Sequence, residues 1–267
     1  MNTKISVVMS IHNNNRYLAE SIESVLSQSF GDFEFLIVDD ASTDGASETL
    51  ETYASKDSRI VLIKNEVNIG LTKSLNKTLK IAKGEYIARM DGDDICLLDR
   101  FQKQVEYLDV NSNVALVFSG TILIDKDSKE VCPTYKPESI EKVLRNLEIH
   151  NYIPHPSVMF RRTIVLALGG YDETWKKSQD RNLWIRMRDS GYLFGCIDKI
   201  LLKYRINPDS VRGMKQGNYW FEVAKHCIWN NSSRGSFRYW NKLTILQKFK
   251  LLIRVFIPFR VYLRGVK

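Results

Sequence analysis

The stretch IARMDGDDICLLDR, residues 87–100, joins an apolar run to three carboxylates that lie within four positions, Asp91, Asp93 and Asp94. Carboxylates crowded in this way raise one another's pKa unless a cation or hydrogen bonds compensate them. Helix capping accounts for only one such residue, since one cap per helix suffices. A divalent cation accounts for all three, because Mg²⁺ and Mn²⁺ take carboxylate, water and phosphate oxygens as ligands. The stretch therefore predicts a site for Mn²⁺ or Mg²⁺ at the end of a buried strand.

The sequence before this stretch alternates short β-branched runs with amphipathic segments. The predicted strands are 6–11, 33–38, 60–63 and 85–90, and apolar side chains recur at helical spacing between them. This βαβαβαβ order predicts an α/β fold with a mostly parallel sheet and flanking helices, which binds ligands at the carboxyl ends of its strands. Candidate binding residues stand at those ends, with His12 and Asn13 after the first strand and Asp39 and Asp40 after the second.

Composition and motifs exclude several other classes of protein. The 267 residues are 44% hydrophobic, which predicts a globular chain, and the four cysteines form no CxxC pair that would indicate zinc or a disulfide framework. No glycine-rich phosphate loop follows the first strand, so neither a dinucleotide-binding fold nor a P-loop is predicted. The net charge of +8 comes from residues 234–267, which hold nine basic and no acidic residues, against 30 basic and 31 acidic elsewhere. This distribution argues against nucleic-acid binding by the main domain.

The basic tail has its own pattern. Apolar residues recur there at three-to-four spacing with Lys and Arg between them, at Leu243, Leu246, Phe249, Ile253 and Phe256. Such a helix suits the surface of an anionic membrane, or alternatively packs on a core with its charges in water. The N-terminus lacks a signal-peptide pattern, and no uncharged apolar run reaches 18 residues. We therefore expect a cytoplasmic protein, peripheral on the cytoplasmic face of the inner membrane.

Six blocks of the chain carry a resemblance to a known family. They are SVVMSIHNNNRYLAESIESVLSQSF, FEFLIVDDASTD, NIGLTKSLNKTLKIAKGEYIARMDGDD, HPSVMFRR, GGYDETW and SQDRNLWIRM. In their order, over about residues 4–206, they resemble the blocks of family 2 inverting glycosyltransferases with the GT-A fold. The resemblance implies a UDP-sugar donor, a divalent metal and a saccharide acceptor.

The resemblance also implies roles for the nucleotide-binding residues. His12 matches the position of a family Tyr that stacks on the nucleotide base, and Asn13 follows it in the same turn. Asp39 matches the first acid of the D-D-x-S pair, which accepts from the uracil N3–H. Asp91 and Asp93 match the DxD motif and, with Asp94, hold the ribose and the diphosphate-bound metal. Asp93 and Asp94 are the candidate metal ligands, and spacing leaves open which carboxylate binds directly.

Asp180 is the candidate general base. It matches the acid of the family's E-D motif, with Gln179 in place of the usual Glu. Inverting transfer needs a base that takes the proton of the attacking hydroxyl and a cation that absorbs charge on the leaving phosphate. The alternative is that Asp180 only caps the helix that carries Leu183, Trp184 and Met187.

Three residues are candidates for the acceptor side. His155 contacts the acceptor or orders a loop, Gly170 and its neighbour Gly169 provide backbone freedom beside the acceptor cleft, and Trp175 lines a sugar site or packs. For Trp184, whose spacing is that of a core residue, packing is favoured.

Together these patterns divide the chain into three parts. Residues 1–118 form the nucleotide-sugar-binding half of a GT-A domain, 119–210 the acceptor-binding and catalytic-base half, and 211–267 the basic extension. The predicted function is the transfer, with inversion, of a hexose or N-acetylhexosamine from a UDP-sugar to a saccharide acceptor in cell-surface glycan synthesis. If the tail binds membrane, the acceptor is expected to be lipid-linked. A sugar-nucleotide pyrophosphorylase and a non-catalytic membrane-associated nucleotide-sugar-binding protein are the alternatives.

Overall fold

The computed structural model describes residues 3–133, 139–148, 151–175 and 177–206, together with Thr244 and Lys248. Apart from those last two residues, the predicted basic helix of the tail lies outside the described residues. Among the described helices, none has the length and apolarity needed to cross a bilayer.

The first part of the chain forms the predicted alternation of strands and helices. The strands are β1 (Ile5–Ile11), β2 (Phe33–Asp39), β3 (Ile60–Lys64) and β4 (Tyr86–Arg89), and the helices between them are α1 (Asn15–Leu26), α2 (Ala46–Lys56) and α3 (Leu71–Ile81). β1 pairs in parallel with both β2 and β4, and β2 pairs in parallel with β3. This confirms the parallel α/β core predicted from the sequence.

Local chemistry explains where these helices begin and which face they bury. Leu18, Ile22 and Val25 are fully buried on one side of α1, at the predicted helical spacing. Asp44 serves the first turns of two helices, since its carboxylate accepts from the backbone N–H of Asn15 at 2.8 Å and of Ala46 at 3.2 Å. One side chain therefore supplies acceptors that two helix N-termini would otherwise lack.

The second part of the chain extends the sheet with strands of the opposite direction. Its elements are β5 (Ile95–Cys96), α4 (Arg100–Val110), β6 (Val114–Ile124), β7 (Glu130–Pro133), α5 (Ile140–Arg145), a 3₁₀ turn (His155–Ser157), β8 (Met159–Arg161), α6 (Arg162–Ala167), α7 (Gln179–Asp189) and β9 (Leu193–Arg205). β8 lies between β4 and β6 and is antiparallel to both. Over the described residues the strand order is β3-β2-β1-β4-β8-β6-β9-β5, with β7 beside β6.

A buried arginine closes the seam between β4 and β8. Arg100 is fully buried, and its Nη2 donates to the carbonyl oxygens of Arg89 at 2.8 Å and Val158 at 3.2 Å. Its Nε donates to Gln104 at 3.0 Å, and Gln104 in turn donates to the carbonyl of Ser157 at 2.8 Å. Side chains of α4 thus satisfy main-chain groups on both sides of the seam.

The chain divides into two compact units, Met1–Thr121 with Lys136–Tyr204 and Ile122–Tyr135 with Arg205–Lys267. In the second unit the Arg205 guanidinium is held locally, because its Nη1 donates to the Asp125 carbonyl and to the Ser128 hydroxyl at 3.0 Å each. The predicted division at residues 118 and 210 remains a prediction.

Candidate active site

The acidic cluster, Asp91, Asp93 and Asp94, follows directly after β4. One carboxylate oxygen from each residue lies within 4.8 Å of those of the other two, and within the described residues this is the one such group. Asp94 is fully buried, whereas Asp91 and Asp93 are half-buried. Three hard oxygen donors at this spacing, two of them reached by solvent, fit the ligand preference of Mg²⁺ or Mn²⁺.

Two contacts hold the turn of the acidic cluster against β1 and α1. The Ser21 hydroxyl donates to the Asp91 carbonyl oxygen at 2.9 Å. At Gly92 an added Cβ would lie 2.7 Å from Cγ2 of Ile11, so only glycine permits this close approach. The carboxylates therefore stand on a turn fixed to the end of β1.

Arg89, the last residue of β4, is a buried cation that the sequence analysis did not single out. Its side chain is 2% exposed and forms an ion pair with the Asp91 carboxylate. Burial alone would lower the pKa of the guanidinium, but the Asp91 charge and hydrogen bond more than offset burial and raise it. A charged residue inside the short apolar run EYIARM was the signal that could have pointed to it.

The two neighbouring acids at the end of β2 have different surroundings. The Asp40 carboxylate is buried and accepts from the backbone N–H of Ile69 at 2.9 Å and Gly70 at 2.8 Å, and from Asn65 Nδ2 at 2.7 Å. Asp40 therefore fastens the loop that leads into α3. Asp39, the predicted uracil acceptor, accepts from the backbone N–H of Ser42 through Oδ1 at 2.9 Å.

His12 and Asn13 form an exposed turn after β1. Nδ1 of His12 lies 2.9 Å from the Asp40 carbonyl oxygen. Because a carbonyl oxygen only accepts, Nδ1 carries the proton in this contact. Asn13 has a φ of 53°, and its Oδ1 accepts from the Thr43 backbone N–H at 2.7 Å. The turn is thereby tied to the loop after β2, next to Asp39.

Asp180 lies in the first turn of α7. The sequence left open that Asp180 only caps this helix. In the structure Ser178, and not Asp180, occupies the N-cap position. The Asp180 Oδ2 accepts from Asn151 Nδ2 at 2.7 Å. Trp184 is fully buried in the same helix, which confirms packing as its role.

His155 and Tyr171 form a buried pair. His155 is 8% exposed, and its Nε2 lies 2.8 Å from the Tyr171 hydroxyl. Burial and the charge of Arg89 hold the pKa of His155 well below its usual range. Burial raises the pKa of Tyr171; Arg89 opposes this, and the charges of Asp180 and Asp91 add to it. The Tyr171 phenol is therefore within electrostatic reach of both the acidic cluster and the candidate base.

An asparagine of α3 anchors the loop that carries Tyr171. Asn76 accepts from the Tyr171 backbone N–H at 2.9 Å and donates to its carbonyl oxygen at 2.8 Å. Gly170 has a φ of 74°, which confirms the backbone freedom predicted for it. Trp175, farther along this loop, is 38% exposed.

The structure brings together some of the predicted residues and separates others. Ile11 pairs with Asp39 at the ends of β1 and β2, and β4 ends opposite Val8, so that the turn after β4 reaches Ile11 at Gly92. The nucleotide and metal candidates thus share one edge of the sheet.

The acceptor candidates do not share one solvent-facing surface, because His155 is buried whereas Trp175 is exposed. Burial favours the loop-ordering role for His155. Asn151 and Tyr171 were given no role from the sequence, because their partners are remote in the chain.

Comparison with known proteins agrees with this geometry. The family model described as Glycosyl transferase family 2 matches residues 6–165. A Methanocaldococcus jannaschii protein described as an uncharacterized glycosyltransferase is 41% identical over 234 residues, covering 85% of this chain and 80% of its own length. The amylovoran biosynthesis glycosyltransferase AmsE of Erwinia amylovora is 31% identical over 219 residues, covering 80% of each chain.

Solved structures share the fold at lower identity. TarS residues 1–349 of S. aureus, in complex with UDP, superimposes with a TM-score of 0.62 at 20% identity, covering 99% of this chain and 75% of that one. The mannosyltransferase PcManGT of Pyrobaculum calidifontis, in complex with GDP-Man and Mn²⁺, gives a TM-score of 0.64 at 15% identity, covering 97% and 82%. The chain therefore belongs to glycosyl transferase family 2 and has the GT-A fold.

Proposed function

We propose that this glycosyltransferase moves a hexose or N-acetylhexosamine from a UDP-sugar to a saccharide acceptor, with inversion, in cell-surface glycan synthesis. The observation that carries the proposal is the presence of two separate acidic sites, the acidic cluster after β4 and the Asp180 carboxylate held by Asn151 in the first turn of α7. Inverting transfer needs two acidic sites with separate tasks, one for the leaving diphosphate and one for the acceptor proton. Family membership favours a transferase over the pyrophosphorylase alternative.

On the donor side, the exposed His12 ring stacks on the base and Asp39 accepts from the uracil N3–H, while Asn13 fixes the turn that carries the ring. Asp91 accepts from a ribose hydroxyl. Asp93 and Asp94 would hold the divalent cation, Mn²⁺ or Mg²⁺, which would offset charge on the leaving diphosphate. TarS, which shares this fold, has been crystallised with UDP and with UDP-GlcNAc, and this supports the choice of donor.

On the acceptor side, Asp180 takes the proton of the attacking hydroxyl. Its Oδ2 is oriented by Asn151 Nδ2, which donates to it at 2.7 Å in the first turn of α7. Gly170 shapes the acceptor loop, and the exposed Trp175 offers a ring on which a sugar can stack. His155 orders the loop through its hydrogen bond to the Tyr171 hydroxyl.

The acceptor is a saccharide, and we propose that it is lipid-linked. Related proteins are described as glycosyltransferases of amylovoran and O-antigen biosynthesis, which supports a role in cell-surface polysaccharide. The nine basic residues in 234–267 would bring the enzyme to the anionic cytoplasmic face of the membrane.

Transfer assays with Asp180→Asn test the proposal. The amide keeps the size of the side chain and an oxygen that can accept from Asn151, but it is not a base at neutral pH. We expect turnover to fall by about 10² to 10⁴ with a matched UDP-sugar and acceptor, while UDP affinity stays close to that of the wild type.

Asp189→Asn is the matched control, because it makes the same change at the other end of α7, where Asp189 is exposed and paired with Arg188. Its transfer rate should equal that of the wild type. Near-normal transfer by the Asp180 variant would rule out Asp180 as the base. A wild type without transfer to any acceptor, despite binding UDP-sugars, would favour the non-catalytic binding protein.

A further inference from the structure

Helix α7 carries three arginines, and their contacts differ. Arg186 donates through both Nη atoms to main-chain carbonyl oxygens, at 2.7 and 2.6 Å. Arg188 donates to a main-chain carbonyl oxygen at 3.0 Å and forms ion pairs with Glu148 and Asp189. These two arginines hold the helix against its neighbours. Arg181, in the first turn, has no hydrogen bond or ion pair with any residue that the structure describes.

The Arg181 side chain is half-buried, and its nitrogen atoms differ in exposure. Its Nε is buried, and no group in the described ranges accepts a hydrogen bond from it. Nη1 and Nη2 stay accessible to solvent. A buried N–H without an acceptor lowers stability, so the packing of Arg181 is not explained by its contacts within the protein. The packed stem leaves the two terminal nitrogens as the part of the guanidinium that a ligand can reach.

The acids of the loop before α7 do not pair with Arg181. Asp172 accepts from the backbone N–H and the hydroxyl of Thr174, at 2.9 and 2.7 Å. Glu173 accepts from Asn76 Nδ2 at 3.0 Å. The charge of Arg181 therefore remains available to a bound molecule.

Arg181 directly follows the candidate base. Asp180 is the one acid in the first turn of α7, and Gln179 before it is neutral. Because consecutive Cα atoms lie about 3.8 Å apart, a group bound by Arg181 belongs to the sugar unit whose hydroxyl reaches Asp180, or to the unit next to it. A guanidinium binds phosphate and carboxylate oxygens through two parallel N–H donors. Its charge would also offset repulsion between Asp180 and a negatively charged acceptor.

We propose that Arg181 binds an oxyanion of the acceptor, a phosphate or a carboxylate, and so makes the enzyme selective for negatively charged saccharides. This inference rests on the proposed function, since it takes Asp180 as the residue beside which the acceptor binds. It adds a chemical class to the acceptor and a residue that recognises this class.

Binding of two pairs of probes to the full chain tests the proposal. N-acetylglucosamine 1-phosphate is compared with N-acetylglucosamine, and glucuronic acid with glucose, by ligand-observed nuclear magnetic resonance. Saturating UDP and Mg²⁺ are present, so that the anionic probes do not bind at the donor site. We expect at least one anionic probe to bind about tenfold more tightly than its neutral partner, as for one hydrogen-bonded contact to a charged group. A preference in the first pair indicates a phosphate, as on a lipid-linked acceptor, and a preference in the second pair indicates the carboxylate of a uronic acid.

Three variants assign this preference to a residue. Arg181→Gln removes the charge, so the preference should fall to within about twofold while UDP affinity stays unchanged. Arg181→Lys keeps the charge without the planar fork and should retain part of the preference. Arg145→Gln is the matched control, because it makes the same change at an exposed residue of α5, next to the Leu144 carbonyl that binds Arg188 in the last turn of α7. It should keep the full preference.

Equal binding of the anionic and neutral probes by the wild type would overturn the role of Arg181, and this comparison needs no variant to fold. A preference that survives Arg181→Gln would overturn it as well, whether or not the melting temperature falls. A loss of UDP affinity in Arg181→Gln would assign the guanidinium to the donor instead of the acceptor. None of these measurements requires transfer, so failure of the proposed function would show separately, as near-normal transfer by Asp180→Asn.

Discussion

Alanine at Gly170 should destabilise the protein more than alanine at the adjacent Gly169. Both glycines have a positive φ, 74° and 81°, so an L side chain at either position costs about 1–2 kcal/mol in backbone conformation. The two positions differ in the space beside them. An added Cβ at Gly170 would lie 2.7 Å from Asn76 Oδ1, whereas at Gly169 it would meet nothing within 4 Å.

The difference between the two variants follows from what Asn76 does. Its side-chain amide makes hydrogen bonds of 2.9 and 2.8 Å with the main chain of Tyr171, and the new methyl group would displace it. Two hydrogen bonds at about 1 kcal/mol each give a further loss of about 2 kcal/mol. We therefore expect losses of about 1–2 kcal/mol for Gly169→Ala and about 3–4 kcal/mol for Gly170→Ala.

Urea unfolding of both variants, alone and combined with Asn76→Ala, measures these losses. In the Asn76→Ala background the amide is already absent, so Gly170→Ala should then cost only the backbone amount shared with Gly169→Ala. Equal losses for the two glycine variants in the otherwise wild-type chain would refute the reasoning, as would an undiminished cost of Gly170→Ala in the Asn76→Ala background.

Two further predictions concern the metal and the buried histidine. Asp93→Ala should abolish Mn²⁺-dependent UDP binding and leave the fold intact. The control is Asp99→Ala, at an exposed acid paired with Lys103, which should not change this binding. UDP binding that survives a chelator would count against the metal site. Burial and Arg89 hold the pKa of His155 well below its ordinary 6.5, so below that pH the unfolded chain binds a proton that the folded chain does not. The free energy of unfolding should therefore fall on account of this residue as the pH drops below 6.5, with a slope that approaches but does not exceed about 1.4 kcal/mol per pH unit. His155→Gln should lose that part of the pH dependence, and equal slopes for the two proteins would contradict the assignment.

The parallel half of the fold could be predicted from the sequence because its signals are local. Apolar runs and helical spacing predicted β1 to β4 and the helices between them, and the order of these elements placed Asp39 and Asp91 at one edge of the sheet. Local spacing also identified the acidic cluster, since its three carboxylates are neighbours in the chain.

The remaining features depend on partners that are distant in sequence. Asn76 and Tyr171 are 95 residues apart, and Asn151 and Asp180 are 29 apart, so no periodicity connects them. The insertion of β8 between β4 and β6 likewise leaves no local pattern. Asp40 also shows what sequence cannot distinguish. It stands beside Asp39 in the sequence, and only its hydrogen bonds in the structure show that it fastens a loop.

Arg100 also affects the register between β4 and β8. Its Nη2 donates to the carbonyl oxygens of Arg89, the last residue of β4, and of Val158, which directly precedes β8. A slip of one residue between these strands would shift the Val158 carbonyl by about 3.3 Å, well outside hydrogen-bonding range. The guanidinium would then lose an acceptor in an environment where an unmet donor costs about 1–3 kcal/mol or more. This loss would add to the cost of turning the buried side chains to the opposite face, so the single guanidinium ties the native register of these two strands to a polar contact as well as to apolar packing.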